Sequence, residues 1–461
     1  MTSNNPNGGH DDHGENPFEE IMRKLSSGQG LSPEDLQGMG MSMDPAMMSG
    51  LFAQIQSMMS GMNSDGSVNW DQARQHARQL ASGDSDPAVT AQQKSAVKDA
   101  MQLAQLWLDP VTDFGRPRFA EEAWSRAEWV ENSFATVRQI SEPVAASITE
   151  AMGEALNKQM PEELKSMLGQ GAWMLTGMSG MMFAMQLGQA LGGLSQEIVS
   201  STDIGIPLAP DRSALLPRNI SEFGEGLDLP PQEIMLFLAV REAAHVRLYH
   251  STPWLRENIM ELIERYSRGI HVDMDRIEEA SRDIDPSNPE SMREALAGDL
   301  FQPQLTEDQE VTLARLETLL ALVEGWVDHV STEATKNLPS GPALTETLRR
   351  RRAGGGPAEK TFGSLIGLEL RPRRLREASQ FWAGYAEEHG VEQRDALWSA
   401  PENLPTGEDL DEPERFGETR GLLNASDEEM DAALEKLLSG GYDEDQDGQG
   451  QGDGSQEPKD S

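Results

Sequence analysis

The chain has 461 residues, a formal net charge of −40 and no cysteine. That length suffices for two or three domains, or for one large domain with tails. So negative a surface repels a phosphate backbone, so nucleic acid is not an expected partner. Without cysteine there are no disulfides and no Cys-ligated zinc, and any metal must be held by His, Asp, Glu and water.

The chain begins MTSNNPNGGHDDHGENP, which has neither a cationic start nor an apolar core and so does not read as a secretory signal. With no disulfides, the expected location is the cytoplasm. Residues 1–30 are polar and are expected to be disordered apart from a short helix at FEEIMRKL. Residues 31–65 are rich in Met and Gly, a composition that suits adaptable packing surface.

Amphipathic helical patterns follow over about 70–81, 88–108, 118–137, 141–157 and 161–195. No charge occurs between Lys165 and Glu197, a run long enough to span about 30 Å of hydrocarbon. Its many glycines and glutamines, and the lack of a basic or aromatic belt, indicate a buried helix instead, and no membrane partner is expected. Gly188 and Gly192 have the spacing for close helix packing.

Residues 203–231 break the helical pattern with prolines and short β-prone pieces. Asp228 and the Pro230–Pro231 pair predict a helix start, with Asp228 as cap, leading into LAVREAAHVRLYH. Thr252 and Pro253 start the next helix, with Leu255, Ile259, Leu262 and Tyr266 on one face. A long helix over about 306–332 carries Leu313, Leu316, Leu320, Val323, Val327 and Val330 as one seam. ETLRRRRAGGGPAEK reads as a loop, and ELRPRRLREASQFWAGYAEEHG returns to helix. The basic runs at 349–352 and 371–376 read as solvated residues or as intramolecular partners for carboxylates.

After about 420 come a short helix (SDEEMDAALEKLL) and a low-complexity acidic tail. Residues 401–461 hold 19 Asp or Glu against 4 Lys or Arg, which makes the end a solvated acidic segment. The expected organisation is therefore a disordered N-terminus over 1–30, a Met/Gly-rich segment over 31–65, a mainly α domain over 66–420 with at most a few short strands, and a helix with a disordered tail over 421–461.

The chemistry-bearing stretch is REAAH. In a zinc-peptidase helix, histidines at i and i+4 bind metal and the glutamate at i+1 polarises the attacking water. Glu242 and His245 occupy the second and fifth places of that frame, whereas Arg241 occupies the first and has no lone pair to give. His250, five residues beyond His245, is rotated by about 140° and displaced by about 7.5 Å if the helix continues, so it cannot simply replace the missing ligand. Downstream, LVEGWVDHV places Glu324 and Asp328 on one face with His329 after them. Gly325 leaves room there for another backbone. A carboxylate from that helix could complete a metal site or pair with Arg241. A lone Glu-x-x-His does not make a di-iron bundle, which requires two, and AGGGP at 353–357 lacks the residues of a phosphate loop.

The order REAAHVRLYHSTPWL, ERYSRGIHVD, LLALVEGWVDHV, then LELRPRRLREASQFW with DALWSAPENLPT, resembles an actinobacterial family of zincin-like metallopeptidases. Its members are labelled hydrolases or zinc-dependent metalloproteases, and the likeness covers roughly residues 66–420. The resemblance implies a multi-helix zincin-like domain. It also implies zinc as cofactor, a peptide or protein as substrate, Glu242 as the catalytic base, and His245 with Glu324 as metal ligands. Arg241 would then support Glu324 or stabilise an oxyanion. The departure at Arg241 keeps a second reading open: a catalytically inactive helical protein that acts as an interaction module for a protein partner.

Overall fold

The computed structural model describes residues 68–83, 85–159, 172–269, 305–368 and 373–416. The expected N-terminal disorder, the FEEIMRKL helix, the Met-rich segment, the SDEEMDAALEKLL helix and the acidic tail lie outside these residues. Thirteen α-helices follow in chain order among the described residues: α1 (Trp70–Ser82), α2 (Ala91–Leu108), α3 (Arg126–Gln159), α4 (Ala172–Glu197), α5 (Pro217–Phe223), α6 (Pro231–Ser251), α7 (Pro253–Arg268), α8 (Glu307–Ala334), α9 (Gly341–Gly354), α10 (Pro357–Ile366), α11 (Leu375–His389), α12 (Val391–Ala396) and α13 (Gly407–Asp411). The sheet is limited to two short parallel strands, β1 (Glu121–Ala123) and β2 (Ser213–Leu215), in the register Glu121↔Ser213 to Ala123↔Leu215. The mainly α expectation holds.

Helix α6 lies at the centre. Its residues from Leu236 to Leu248 are all buried, because α2, α5, α7, α8, α9 and β2 pack around it. A helix surrounded on every side is normally apolar throughout. This one also buries Arg241, Glu242, His245 and Arg247, so each of them needs a polar partner within the core. Arg247 finds its partners in Gln105, Asp109 and the Phe114 carbonyl, which tie α6 to α2 and the segment after it. The predicted seam of α8 is buried from Leu316 to Val330, and Leu313 packs at its edge.

From Ala172 onward the uncharged stretch is a packed helix. Gly188 and Gly192 of α4 sit against α1 so closely that a Cβ would come within 2.9 Å of the Ala73 carbonyl oxygen and 2.6 Å of Leu80 Cβ. Helix α1 rests in that groove through Ala73, Ala77 and Ala81, and His76 packs there. No helix among the described residues is long and apolar enough to cross a membrane.

Several local expectations differ from the structure. Residues 121–123 form a strand where a helical pattern starts, because they pair with β2 before the helix begins at Arg126. The patterns at 118–137 and 141–157 belong to one helix that contains Pro143. Asp228 does not cap α6: it has a left-handed backbone (φ 53°), Pro230 is the N-cap, and Pro231 opens the helix. Pro253 opens α7 as predicted, but the Thr252 hydroxyl makes no cap bond. The RRRR run is the end of helix α9 and not a loop, because Leu344, Leu348 and Arg352 form a buried face and the break comes only at Gly355.

Gly325 serves as the sequence suggests. A Cβ there would fall 2.5 Å from Ala378 Cβ and 2.7 Å from the Ser379 backbone nitrogen, so α8 and α11 touch backbone to backbone. Gly325→Ala should therefore lower the unfolding free energy by about 1–3 kcal/mol, because overpacking outweighs a helix-propensity gain of about 1 kcal/mol. Gly384→Ala, in α11 with nothing near its Cβ, should stabilise by up to about 1 kcal/mol, both read from urea unfolding.

Candidate functional site

The structure brings three of the four sequence-predicted residues into one buried cluster. His245 and Arg241 are one turn apart on α6, and Glu324 reaches them from α8. His245 Nε2 lies 2.9 Å from Glu324 Oε1, and Arg241 Nη2 donates to Glu324 Oε2 at 3.0 Å. A fourth member, Arg352 from the end of α9, donates to Glu324 Oε1 at 2.9 Å. Glu324 is 1% exposed, His245 2%, Arg241 7% and Arg352 8%. Water does not screen this cluster.

The fourth predicted residue faces elsewhere. Glu242 sits in a cage built by the segment after α4: Ser201 Oγ and Thr202 Oγ1 donate to it, as do the backbone nitrogens of Thr202 and Ala214 at 3.2 Å. Every donor comes from the 201–214 segment, which Ser200 and β2 fix to the small sheet. Glu242 thus anchors that segment to α6.

The pairing between α8 and α9 explains the arginine run. Glu324 and Asp328 are one turn apart on α8, and Arg352 and Arg349 are one turn apart on α9. The antiparallel helices match Glu324 with Arg352 and Asp328 with Arg349, whose Nη2 lies 2.6 Å from Asp328 Oδ2. Asp328 also accepts from Ser379 at 2.8 Å and lies 3.9 Å from Arg241 Nη1. Arg351 turns to the Glu197 carbonyl and Asp203, and Arg350 pairs with Glu346. Of the second basic run, Arg373 approaches Glu317 and Arg374 binds Asp411. Arg349 to Arg352, Arg373 and Arg374 thus all face carboxylates of the same chain.

The charges fix the protonation pattern. Burial alone would push the Glu324 carboxyl up, but Arg352, His245 and Arg241 hold it well below the usual carboxylate range. The ring of His245 faces acceptors on both sides, Glu324 at Nε2 and the Arg241 carbonyl oxygen 3.0 Å from Nδ1. Tyr249, one turn further along α6, is partly buried and donates to the Gly205 carbonyl at 2.6 Å. Burial and the charge of Glu324 hold its hydroxyl in the protonated form, raised well above the ordinary value.

Gly205 brings the 203–205 turn against Glu324. Its φ is 80°, and a Cβ would stand 3.0 Å from Glu324 Oε1. A side chain there would meet both a disfavoured backbone and a charged oxygen. Arg352 and Gly205 were not found from the sequence as parts of this cluster. The signal for Arg352 was the match between the 349/352 and 324/328 spacings, which needs the antiparallel arrangement to be visible.

The other described histidines stay apart from the cluster. His250 is exposed and packs edge-on against Phe119, ring centroids 5.1 Å apart. His329 is a partly buried residue of α8, and burial, then the charge of Arg394, hold its imidazole down at about 4. Among the described residues, no group of three or more His, Asp or Glu is placed to hold a metal ion.

A family model described as zincin-like metallopeptidase matches residues 68–416. Among solved structures, the fold is similar to that of a protein from Chloroflexus aurantiacus described as a candidate hydrolase with a novel fold. The TM-score is 0.54 at 18% identity, over 76% of this chain and 97% of the other. At that identity the likeness is one of fold. No curated protein matches the chain.

His329 supplies a pH test. The unfolded chain takes up a proton near pH 6.5 and the folded one only near 4. Its contribution to stability is therefore intact above about pH 6.5 and lost progressively as pH falls toward 4. Unfolding free energies measured across that window should fall less steeply in His329→Gln than in the unchanged protein. Equal slopes would contradict the assignment.

Proposed function

Since the chain belongs to the zincin-like metallopeptidase family, we propose that it is a hydrolase-related protein whose metal position is taken by guanidinium, and that it works as a cytoplasmic binding module for peptides or proteins. The observation that carries this reading is the double occupation of Glu324, with Arg241 on one oxygen and Arg352 on the other.

A zinc site needs lone pairs converging at about 2 Å from the ion. The 2.9 Å approach of His245 Nε2 to Glu324 Oε1 would suit neighbouring ligands, and Nδ1 against a backbone carbonyl is a common way to orient a metal-binding imidazole. The remaining residues do not fit. Arg241 stands where the first histidine would be. Glu242, the base of the metallopeptidase reading, is engaged by four donors of the 201–214 segment. A dication about 4 Å from one guanidinium is opposed by about 8 kcal/mol at an effective dielectric of 20. Two guanidiniums would offset a typical structural zinc affinity of about 10–16 kcal/mol. No hydrolytic step is therefore derived through a metal here.

The alternative, a zinc peptidase with Glu242 as base and His245 and Glu324 as ligands, would require Arg241 and Arg352 to leave Glu324. Breaking a buried pair in that way costs about 3–5 kcal/mol. The four donors to Glu242 would also have to be given up.

Zinc quantified in protein purified from zinc-supplemented cells, together with hydrolysis of a quenched peptide library, tests the proposal. The expected result is less than about one-tenth of a zinc per chain and no cleavage above that of a Glu242→Gln preparation. Stoichiometric zinc that disappears in His245→Ala would overturn it.

A further inference from the structure

A cleft of about 550 Å³ lies between α3 and α7. Its floor is apolar, formed by Ala135, Ile140, Pro143, Met260 and Ile263. On α7, Glu257, Glu261 and Glu264 line it at helical spacing. Glu264 pairs with Arg268, whereas Glu257 and Glu261 are exposed and have no hydrogen bond or ion pair among the described residues. On α3, Arg138 is engaged by Glu142 at 3.3 Å and stacks over Trp70.

Arg256 is the unusual member. Its Nη2 makes only long contacts, 3.5 Å to Thr136 Oγ1 and 3.4 Å to Gln139 Oε1, and its Nε is buried without an acceptor. A guanidinium with donors unused at the edge of a cleft can give them to a carbonyl oxygen of something seated there. Stretches 135–143 and 256–264 each extend for about 12 Å, the length of two helical turns or about four extended residues. The volume is that of an ordinary ligand cleft.

We propose that this cleft binds a short basic amphipathic peptide segment. Its apolar side chains would lie on Met260 and Ile140, its Lys or Arg residues would face Glu257 and Glu261, and a main-chain carbonyl would accept from Arg256. Charge complementarity selects this occupant: the two unpaired carboxylates favour a cation. The proposal rests on the binding-module reading and supplies its partner class. It fails separately from it, because the zinc measurement does not depend on this cleft.

The probe is a fluorescein-labelled 12-residue Lys/Leu amphipathic peptide, with a Glu/Leu peptide of the same pattern for comparison. Anisotropy is read on the full chain at 150 mM salt, where the screening length of about 8 Å suppresses the pull of the overall charge. The variants are Glu257→Lys/Glu261→Lys and Ala135→Arg, set beside Asp99→Lys/Glu387→Lys, which changes the charge equally on exposed sites elsewhere. The expected result is at least a tenfold rise in Kd for both cleft variants, less than twofold for the control, and no binding of the Glu/Leu peptide. Should Ala135→Arg not fold, as judged by its melting temperature, the charge-reversed pair still decides. Equal weakening by the control would overturn the proposal and leave only diffuse charge attraction. A concentration-dependent dimer abolished by the cleft variants would also overturn it, because a second copy of the chain would then be the occupant.

Discussion

Glu324 is the constraint around which the centre of the protein is organised. A carboxylate this deeply buried must be neutralised and hydrogen-bonded, and two elements supply the partners: Arg241 and His245 from α6, and Arg352 from α9. Removing any one leaves an ion or a donor without a partner in a medium that solvates it poorly. The cluster therefore links α6, α8 and α9 in a fixed relation, and Gly205 brings the 203–205 turn up to the same oxygen. Replacing the whole network with apolar side chains of similar volume need not cost stability, since buried ion pairs roughly break even against hydrophobic ones. What the network gives is register: Glu324 and Asp328 meet Arg352 and Arg349 in only one antiparallel alignment of α8 and α9.

Glu242 illustrates how one position of a catalytic frame can take a structural load. In the metallopeptidase reading it would polarise water. Here its two oxygens hold the turn at Ser201–Thr202 and the strand at Ala214, so the sheet and the central helix are tied through one side chain. The short β1–β2 pair has too few ladder bonds to be stable alone. Its attachment to Glu242 and to the packed segment around Ser200 accounts for its persistence. The same residue that suggests hydrolysis in the sequence is, in the fold, the anchor for the only sheet among the described residues.

Much of the architecture was legible from periodicity. The α8 seam, the Pro253 start of α7 and the tight packing at Gly188, Gly192 and Gly325 follow from spacing and side-chain size, which act locally. The sequence suggested a carboxylate of the Glu324–Asp328 helix as partner of the REAAH helix, but only the family resemblance singled out Glu324 for His245, because 79 residues separate them. Other features depend on partners far along the chain. The arginine run looked like a loop because its charge obscured the buried stripe of Leu344, Leu348 and Arg352, and the carboxylates that make burial of Arg352 tolerable lie on other elements. Strand β1 is formed by pairing with residues about 90 positions away, and local propensity carries no trace of that. The cage around Glu242 was unreadable for the same reason.

On the proposed reading, the family relationship and the ion cluster describe a scaffold in which fixed cations stand where a dissociable one would act. The most direct check of that account is a double-mutant cycle in urea unfolding on Arg241→Met and Glu324→Leu. The account predicts that each single change costs about 3–5 kcal/mol and that the double variant loses clearly less than the sum of the two, because each single change leaves the other charge short of a partner. If the two losses simply add, Arg241 and Glu324 act independently, and guanidinium in the metal's place is the wrong description of the centre.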